Sequence, residues 1–525
     1  MTFRMMSNTK RILLAALSGL LLTGAFPKIG WDWLIWFALL PLLYVLKDLP
    51  PRPAFRMGFV TGLTHFVTLL YWLVPVMRTY GFLPAYLSII ILCLLAAVLA
   101  VFIALFSAAL AASGKTPARC LLMVPIGWVA LEYLRSFIFS GFPWELLGYS
   151  LFNRLQLIQI SDIFGVYGLS GLIALANGTF LLCLLKFTKR RWQQTNISNR
   201  LAMGSIAILA AAFALTLVYG HWRLNIINKR IAAAPKARVA VIQGNIDQAI
   251  KWNPAFQIDT VKKYNRLSAS IIEQHPDLIV WPEAATPFYF LVSIKPSELV
   301  FEGIDQTGKD YLIGSPSFVR KNKRDHYFNS AYLISPETKT MGKYDKTHLV
   351  PYGEYVPFKK WLPFLGKIVA QIGDFDAGKI GNTLQWKDQH IGVQICYEVI
   401  FPALSRAMAK NNATLLINIT NDAWFGKTSG PYQHFSMTVL RAVENRRSLA
   451  RAANTGISGF VDPAGRVLAS TALLEEAAVV RAVPLLKEKS IYTQTGDLFA
   501  RGCMAVLLLL TVLEIVRWRI RKRKI

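Results

Sequence analysis

A chain of 525 residues that is 54% hydrophobic and carries a formal net charge of +28 is too apolar for an ordinary soluble protein and long enough for more than one domain. Its basic residues follow short loops between apolar runs and do not form one patch. Nucleic-acid binding therefore has no support, whereas a membrane with anionic headgroups does.

Eight apolar runs approach the roughly 20 residues that a bilayer-spanning helix needs. In chain order they are Ile12 to Phe26, Trp31 to Leu46, Met57 to Val76, Pro84 to Ala112, Arg119 to Phe139, Ile163 to Leu185, Leu201 to Gly220 and Gly502 to Val516. The first two are short enough for a re-entrant hairpin or a signal sequence, but no small-residue cleavage site follows. Lys47, Arg52 and Arg56 follow the second run, Lys115 and Arg119 the fourth, and Lys186, Lys189, Arg190 and Arg191 the sixth. Arg4, Lys10 and Arg11 precede the first run, and the chain ends in "RWRIRKRKI". The positive-inside rule puts these segments and both termini in the cytoplasm, as an even number of spans requires. Residues from about 221 to 498 then face the other side, which in a bacterium is the periplasm. The expected organisation is a transmembrane domain of seven helices over 1–220, a periplasmic domain over 221–498, and a C-terminal transmembrane helix with a basic cytoplasmic tail over 499–525.

In the periplasmic stretch short β-branched runs end in small or polar residues: "ARVAVIQGN", "DLIVWPE", "DYLIGSPS", "HIGVQICYE" and "ATLLINITND". Between them, "AFQIDTVKKYNRLSASIIEQH" and "PYQHFSMTVLRAVENRRSLARAAN" have helical spacing. The pattern predicts an α/β domain with buried strands and chemistry at strand ends.

Of the five cysteines, Cys93, Cys120, Cys183 and Cys503 fall in or beside apolar runs, leaving Cys396 alone in the α/β domain. A lone cysteine is most often a small buried hydrophobe. Cys396, however, closes a strand and is followed at once by Tyr397 and Glu398, the setting of a nucleophile held on a strand-to-turn bend. His348 and His434 are candidate bases. Glu283 in "LIVWPEAATPF" offers a carboxylate instead, and Lys346 in "GKYDKTHLVPYGEYVPF" an ammonium to stabilise thiolate and oxyanion. Singly, Glu283 reads as a solvated loop acid and Lys346 as a surface charge; their place at the ends of separate runs in one domain favours a shared site. No HxxxH or CxxC spacing suggests a metal, and no phosphate loop or dinucleotide glycine pattern suggests a nucleotide cofactor.

Glu283 in "WPE", Lys346 in "YDKTHLVPYGE" and Cys396 in "ICYE" resemble the Glu-Lys-Cys triad of the nitrilase, or carbon-nitrogen hydrolase, superfamily. With the polytopic N-terminal region, "GFPWELLGYS", "QGNIDQAIKW", "HLVPYGEYVPF", "NDAWFG" and "DPAGRVL", nearly the whole chain resembles the bacterial apolipoprotein N-acyltransferase family. The resemblance implies a polytopic α-helical membrane domain of about eight spans joined to a nitrilase-like α-β-β-α sandwich. It implies acyl transfer without a cofactor, from a phospholipid, usually phosphatidylethanolamine, through a Cys396 thioester to the α-amino group of a diacylglyceryl-cysteine apolipoprotein. In this reading Glu283 is the base, Lys346 the oxyanion holder, and Glu354, Tyr397 and Glu398 are supporting residues. Trp252 and Trp424 resemble tryptophans that grip lipid, although interfacial anchoring suits their rings equally. "SGFPWELLGYS" lines the acyl cavity or is ordinary helix-end packing.

Two other functions fit parts of the pattern. A membrane-tethered amidase would use the same triad but deliver the acyl group to water. A transporter or purely structural protein would form no acyl-enzyme and leaves unexplained why the spans hold so few charges.

Overall fold

The computed structural model describes residues 6–321, 323–337, 340–356 and 374–523. Arg4, the last residues of "HLVPYGEYVPF" and the end of the basic tail lie outside them. The chain divides into two compact units. One comprises Met1–Trp222, Thr428–Ser436 and Asp497–Ile525; the other comprises Arg223–Lys427 and Met437–Gly496.

The first unit is helical. Among the described residues four helices are long and apolar enough to cross a membrane: Ala85–Ser113, Pro117–Arg135, Val166–Phe187 and Asn199–Ala233. Pro51–Leu69 and Leu73–Thr79, bent by 51°, add a fifth if they form one span. Length and apolarity thus support four or five spans, fewer than the eight expected. The first run is a helix of only 17 residues, Asn8–Gly24. The second is broken into a 3-10 turn, Asp32–Trp36, and the helix Leu40–Leu46. The break is tolerated because buried Asn177 accepts from the Leu39 N–H at 2.9 Å and donates to the Ile35 carbonyl at 3.0 Å, replacing hydrogen bonds that hydrocarbon cannot supply. The last run lies within the 26-residue helix Leu498–Arg523, which ends in basic residues. Pro51–Leu69 packs closely on Ala85–Ser113, and a Cβ on Gly62 would stand 2.6 Å from the Ala100 Cα, the small-residue contact typical of helices in lipid.

"SGFPWELLGYS" is buried in this unit. Trp144 is 1% exposed and packs on Trp72 and His434. Both indole N–H groups, of Trp72 at 3.1 Å and Trp144 at 2.8 Å, donate to Gln433 Oε1. Gln433 Nε2 in turn donates to the carbonyls of Pro27 and Leu69. The aromatic content is therefore explained by packing around one satisfied polar side chain.

The second unit holds two six-stranded sheets. In spatial order the first runs Ala477–Pro484, Lys236–Gln243, Leu278–Val280, Asp310–Lys321, Arg324–Ile334, Gly342–Asp345, with its second to fourth strands parallel. The other runs Val467–Ser470, Gly459–Val461, Ser448–Ala453, Leu415–Thr420, Gln389–Ile395, Thr383–Trp386, with its third to fifth strands parallel. All five strands expected from the sequence are present. Alternation within them assigns faces: Ala240 and Ile242 join Val261, Tyr264, Val300 and Ile304 of the helices Gln257–Ala269 and Ile294–Thr307 in one core. The other face meets the second sheet, where the Gln243 side chain accepts from Ser458 and donates to the Ala472 carbonyl. This is the α-β-β-α sandwich. One expectation needs correcting: "PYQHFSMTVLRAVENRRSLARAAN" is not helical throughout. The helix Gly430–Asn445 stops where Arg446 turns left-handed at φ 52°, and Ser448–Ala453 continues as a wholly buried strand. Arg451 is buried there against Asp422 at 2.7 Å, a pairing a helical reading does not provide.

Candidate active site

The carboxylate, ammonium and thiol singled out in the sequence come together at strand ends of the second unit. Glu283 follows Leu278–Val280, Lys346 follows Gly342–Asp345, and Cys396 closes Gln389–Ile395. Lys346 Nζ lies 3.8 Å from Glu283 Oε1 and 2.9 Å from both carboxylate oxygens of Glu354. Lys346 is 1% exposed. Burial works against its charge, but Glu354, Glu283 and Cys396 together hold the ammonium above the ordinary lysine range.

Each group is fixed by its surroundings. Glu283 Oε1 accepts from Asn329 Nδ2 at 2.8 Å and Oε2 from the Asn421 N–H at 2.8 Å. Asn329 Nδ2 also reaches Glu354 Oε1 at 2.9 Å, so one amide holds two like charges side by side. Glu354 Oε2 accepts from the Val350 N–H, closing its own loop. The Glu283 loop crosses Gly314 so closely that a Cβ there would stand 2.4 Å from the Pro282 carbonyl, and Ala284 completes the bend at φ 47°. Trp281, two residues before Glu283, is buried against Tyr264 and Tyr311.

Cys396 adopts φ 55°, a left-handed conformation that a side chain accepts only under outside constraint. Asn418 Nδ2 donates to the carbonyls of Gln394 and Cys396 on either side of the bend, and Arg451 holds the Asn418 side chain. Glu398, fully buried, accepts from the N–H groups of Ile395, Thr347 and His348 and from the hydroxyls of Thr347 and Tyr344. It thereby ties the cysteine turn to the segment after Lys346. Burial pushes the Glu398 carboxyl above the usual carboxylate range, opposed by these donors and Lys346. Burial also raises the Cys396 thiol, and Glu283 and Asp422 add to the shift, while Lys346 and the Thr420 hydroxyl oppose it. A thiol so held needs a base close by.

The other expected residues fall around this centre. Tyr397 packs edge-on against Phe401, whose ring contacts His348 at 3.8 Å. His434 lies in the first unit against Trp144. The largest electrostatic influences on Cys396 are Glu283, Lys346 and Asp422. Trp252 is 49% and Trp424 39% exposed, unusual for indoles that a core would accept. Among the described residues no cluster of His, Cys, Asp or Glu could hold a metal.

Several residues of the site were missed. Asn329 sits mid-strand in Arg324–Ile334 with no sequence signal. Asn421, Asp422, Gln248 and Lys251 lie in "NDAWFG" and "QGNIDQAIKW", motifs whose sequence signal is carried by their tryptophans.

Two facing sheets with a carboxylate, an ammonium and a thiol at their strand ends define the carbon-nitrogen hydrolase class, and the family model described as carbon-nitrogen hydrolase matches residues 238–489. A second model, described as the apolipoprotein N-acyltransferase N-terminal domain, matches residues 18–179. The chain is 45% identical to an apolipoprotein N-acyltransferase of Geobacter metallireducens, over 94% of this chain and 93% of that one. It is 33% identical to that of Methylococcus capsulatus, over 94% of each. The chain belongs to the apolipoprotein N-acyltransferase family. Among solved structures, an amidase from Nesterenkonia sp. AN1 with a covalent adduct on its active site cysteine aligns at 20% identity and a TM-score of 0.37, over 51% of this chain and 98% of its own.

Proposed function

We propose that Cys396 carries an acyl chain from a phospholipid, phosphatidylethanolamine, to the α-amino group of a diacylglyceryl-cysteine at the N-terminus of an apolipoprotein, with Glu283 and Lys346 as its partners. The gathering of buried Glu283, Lys346 and Glu354 beside half-buried Cys396 carries this reading, and family membership gives the reaction class.

In the first half-reaction the Cys396 sulfur attacks the ester carbonyl while its proton passes to Glu283. Lys346 and the N–H of Tyr397 stabilise the oxyanion, each such donor being worth about 10²–10³ in rate. Collapse breaks the ester C–O bond, Glu283 returns the proton to the lysophospholipid alkoxide, and a thioester remains. In the second half the amine attacks the thioester and Glu283 takes its proton. The C–S bond breaks, an amide forms, and the proton returns to sulfur. Glu354 orders Lys346, Glu398 orders the cysteine turn, and Tyr397 shapes the thioester pocket. The exposed rings of Trp252 and Trp424 suit contact with lipid chains or headgroups. The basic loops support insertion in a bacterial inner membrane, with both termini cytoplasmic and the residue 221–498 region periplasmic. On that topology the sequence divides functionally at about residues 220 and 498.

Intact-mass spectrometry of the protein with phosphatidylethanolamine, before and after adding a diacylglyceryl-cysteine peptide, tests the scheme. One hydroxylamine-sensitive acyl adduct, absent from Cys396→Ala and passed to the peptide amine, is expected. No adduct on folded wild type overturns the scheme, and an adduct lost only to water assigns a hydrolase.

A further inference from the structure

The motif "QGNIDQAIKW" contains a buried lysine that the scheme above does not use. Lys251 ends the short helix Gln248–Lys251 and is 0% exposed, although its neighbours Ile250 and Trp252 are 39% and 49% exposed. A buried ammonium is costly unless it is paired or hydrogen-bonded. Its Nζ donates to the main-chain carbonyl of Glu283 at 3.1 Å, the carbonyl that leads into the left-handed bend at Ala284. The same helical turn reaches Glu283 a second way: Gln248 Oε1 accepts from the Asn421 side chain at 2.7 Å, and the Asn421 N–H holds Glu283 Oε2. One four-residue segment thus grips Glu283 by its backbone and, through Asn421, by its carboxylate.

Charge balance gives Lys251 a second task. Apart from Lys251, Glu283 and Glu354 share the ammonium of Lys346, which lies nearer Glu354. Taking both carboxylates as anions and the thiol as neutral, Glu283, Glu354 and Lys346 carry one net negative charge, and proton transfer from Cys396 to Glu283 moves that charge without removing it. We infer that Lys251 is a positioning residue for Glu283 and the counter-cation of the Glu283–Cys396 pair, leaving Lys346 available to the oxyanion. The charged groups acting on its ammonium are Glu283 and Cys396, which in turn feel Lys346 and, for Cys396, Asp422. Burial lowers Lys251 to about 8, against the pull of Glu283 and Cys396. The cation is therefore present below about pH 8 and lost above it.

This role rests on the acyl-transfer reading, and its test separates the two. Single-turnover thioester formation from phosphatidylethanolamine is followed from pH 6 to 10 for full-length wild type, Lys251→Met and Lys251→Arg, with melting temperature as a check on folding. Alkylation of Cys396 by iodoacetamide is measured at pH 7 without lipid, by peptide mass spectrometry. The wild-type acylation rate is expected to fall above pH 8. Lys251→Met is expected to be at least tenfold slower at pH 7, to converge on wild type by pH 10, and to alkylate several-fold more slowly. Lys251→Arg, which does not titrate in this range, is expected to keep most of the pH 7 rate and lose the alkaline fall. A Met variant equal to wild type at pH 7, or slower by one factor at every pH with unchanged alkylation, overturns the inference. If Lys251→Met does not fold, the wild-type and Arg profiles decide it alone. If wild type forms no thioester, the acyl-transfer reading fails, and alkylation still decides whether Lys251 supports the thiolate.

Discussion

Cys396 is a thiol made reactive by its neighbours and not by its own acidity. Burial raises it above the ordinary thiol range, so its folded form favours the protonated state at neutral pH and yields thiolate only as pH rises through the raised value. Alkylation of Cys396 in the lipid-free protein should therefore climb several-fold from pH 7 to 8 and less steeply above it, where Lys251 loses its charge; a plateau below pH 7 in the rate, followed by peptide mass spectrometry, contradicts it. Asn329 is the amide between two carboxylates, 2.8 Å from Glu283 and 2.9 Å from Glu354. Replacing it by Leu leaves the like charges without their shared donor. The Asn329→Leu variant should lose about 10–100-fold in kcat with KM for the lipid changing far less, as steady-state transfer assays would show. The sequence singled out Glu283, Lys346 and Cys396 because their residue types carry chemistry wherever they stand. Asn329 and Lys251 escaped because an amide in a strand and a lysine in a short helix gain meaning only from what they touch.

Elements bring these groups together by close approach. The Glu283 loop lies over Gly314, where even a methyl group would meet the Pro282 carbonyl and the Glu283 Cα. Overpacking of this kind costs about 1–3 kcal/mol. Gly314→Val should lower the melting temperature by several degrees and reduce acyl-enzyme formation more than the lost stability accounts for; thermal melts paired with adduct mass spectrometry measure both. In the helical unit Gly62 against Ala100 plays a similar part. Gly62→Leu should shorten the half-life of the detergent-solubilised protein at 40 °C, whereas Gly204→Leu, at a site open within 4 Å, should leave it unchanged. The strands were legible as elements because buried β-branched runs have few other uses. Their order was not: "RRSLARAAN" continues a helical spacing on paper and becomes a strand only because Arg451 finds Asp422 and Asn418 in the folded chain.

At the scale of the molecule the chain joins a lipid-compatible helical unit to an α-β-β-α sandwich, a combination that places a thiol chemistry in a membrane protein. The proposed orientation makes a direct prediction. A membrane-impermeant protease added to spheroplasts should cut within the residue 274–323 region if it is periplasmic and leave the basic loops intact. Cleavage only after the inner membrane is opened reverses the topology. Span number was the weakest expectation, since a run of apolar residues does not say whether its helix is continuous; Asn177 is what permits the break after Trp36.

The sequence by itself determined the division into an apolar and an α/β part, the buried strands, the lone thiol of the α/β part, Glu283, Lys346 and Cys396 as candidates, and the family, because each depends on residue type, spacing or local pattern. Tertiary structure alone decided which carboxylate and ammonium lie beside the thiol, which helices are broken, where Ser448–Ala453 lies, and that Asn329 and Lys251 contact Glu283. Those facts depend on contacts between residues far apart in the chain, and a buried polar group takes its role from the partner that satisfies it.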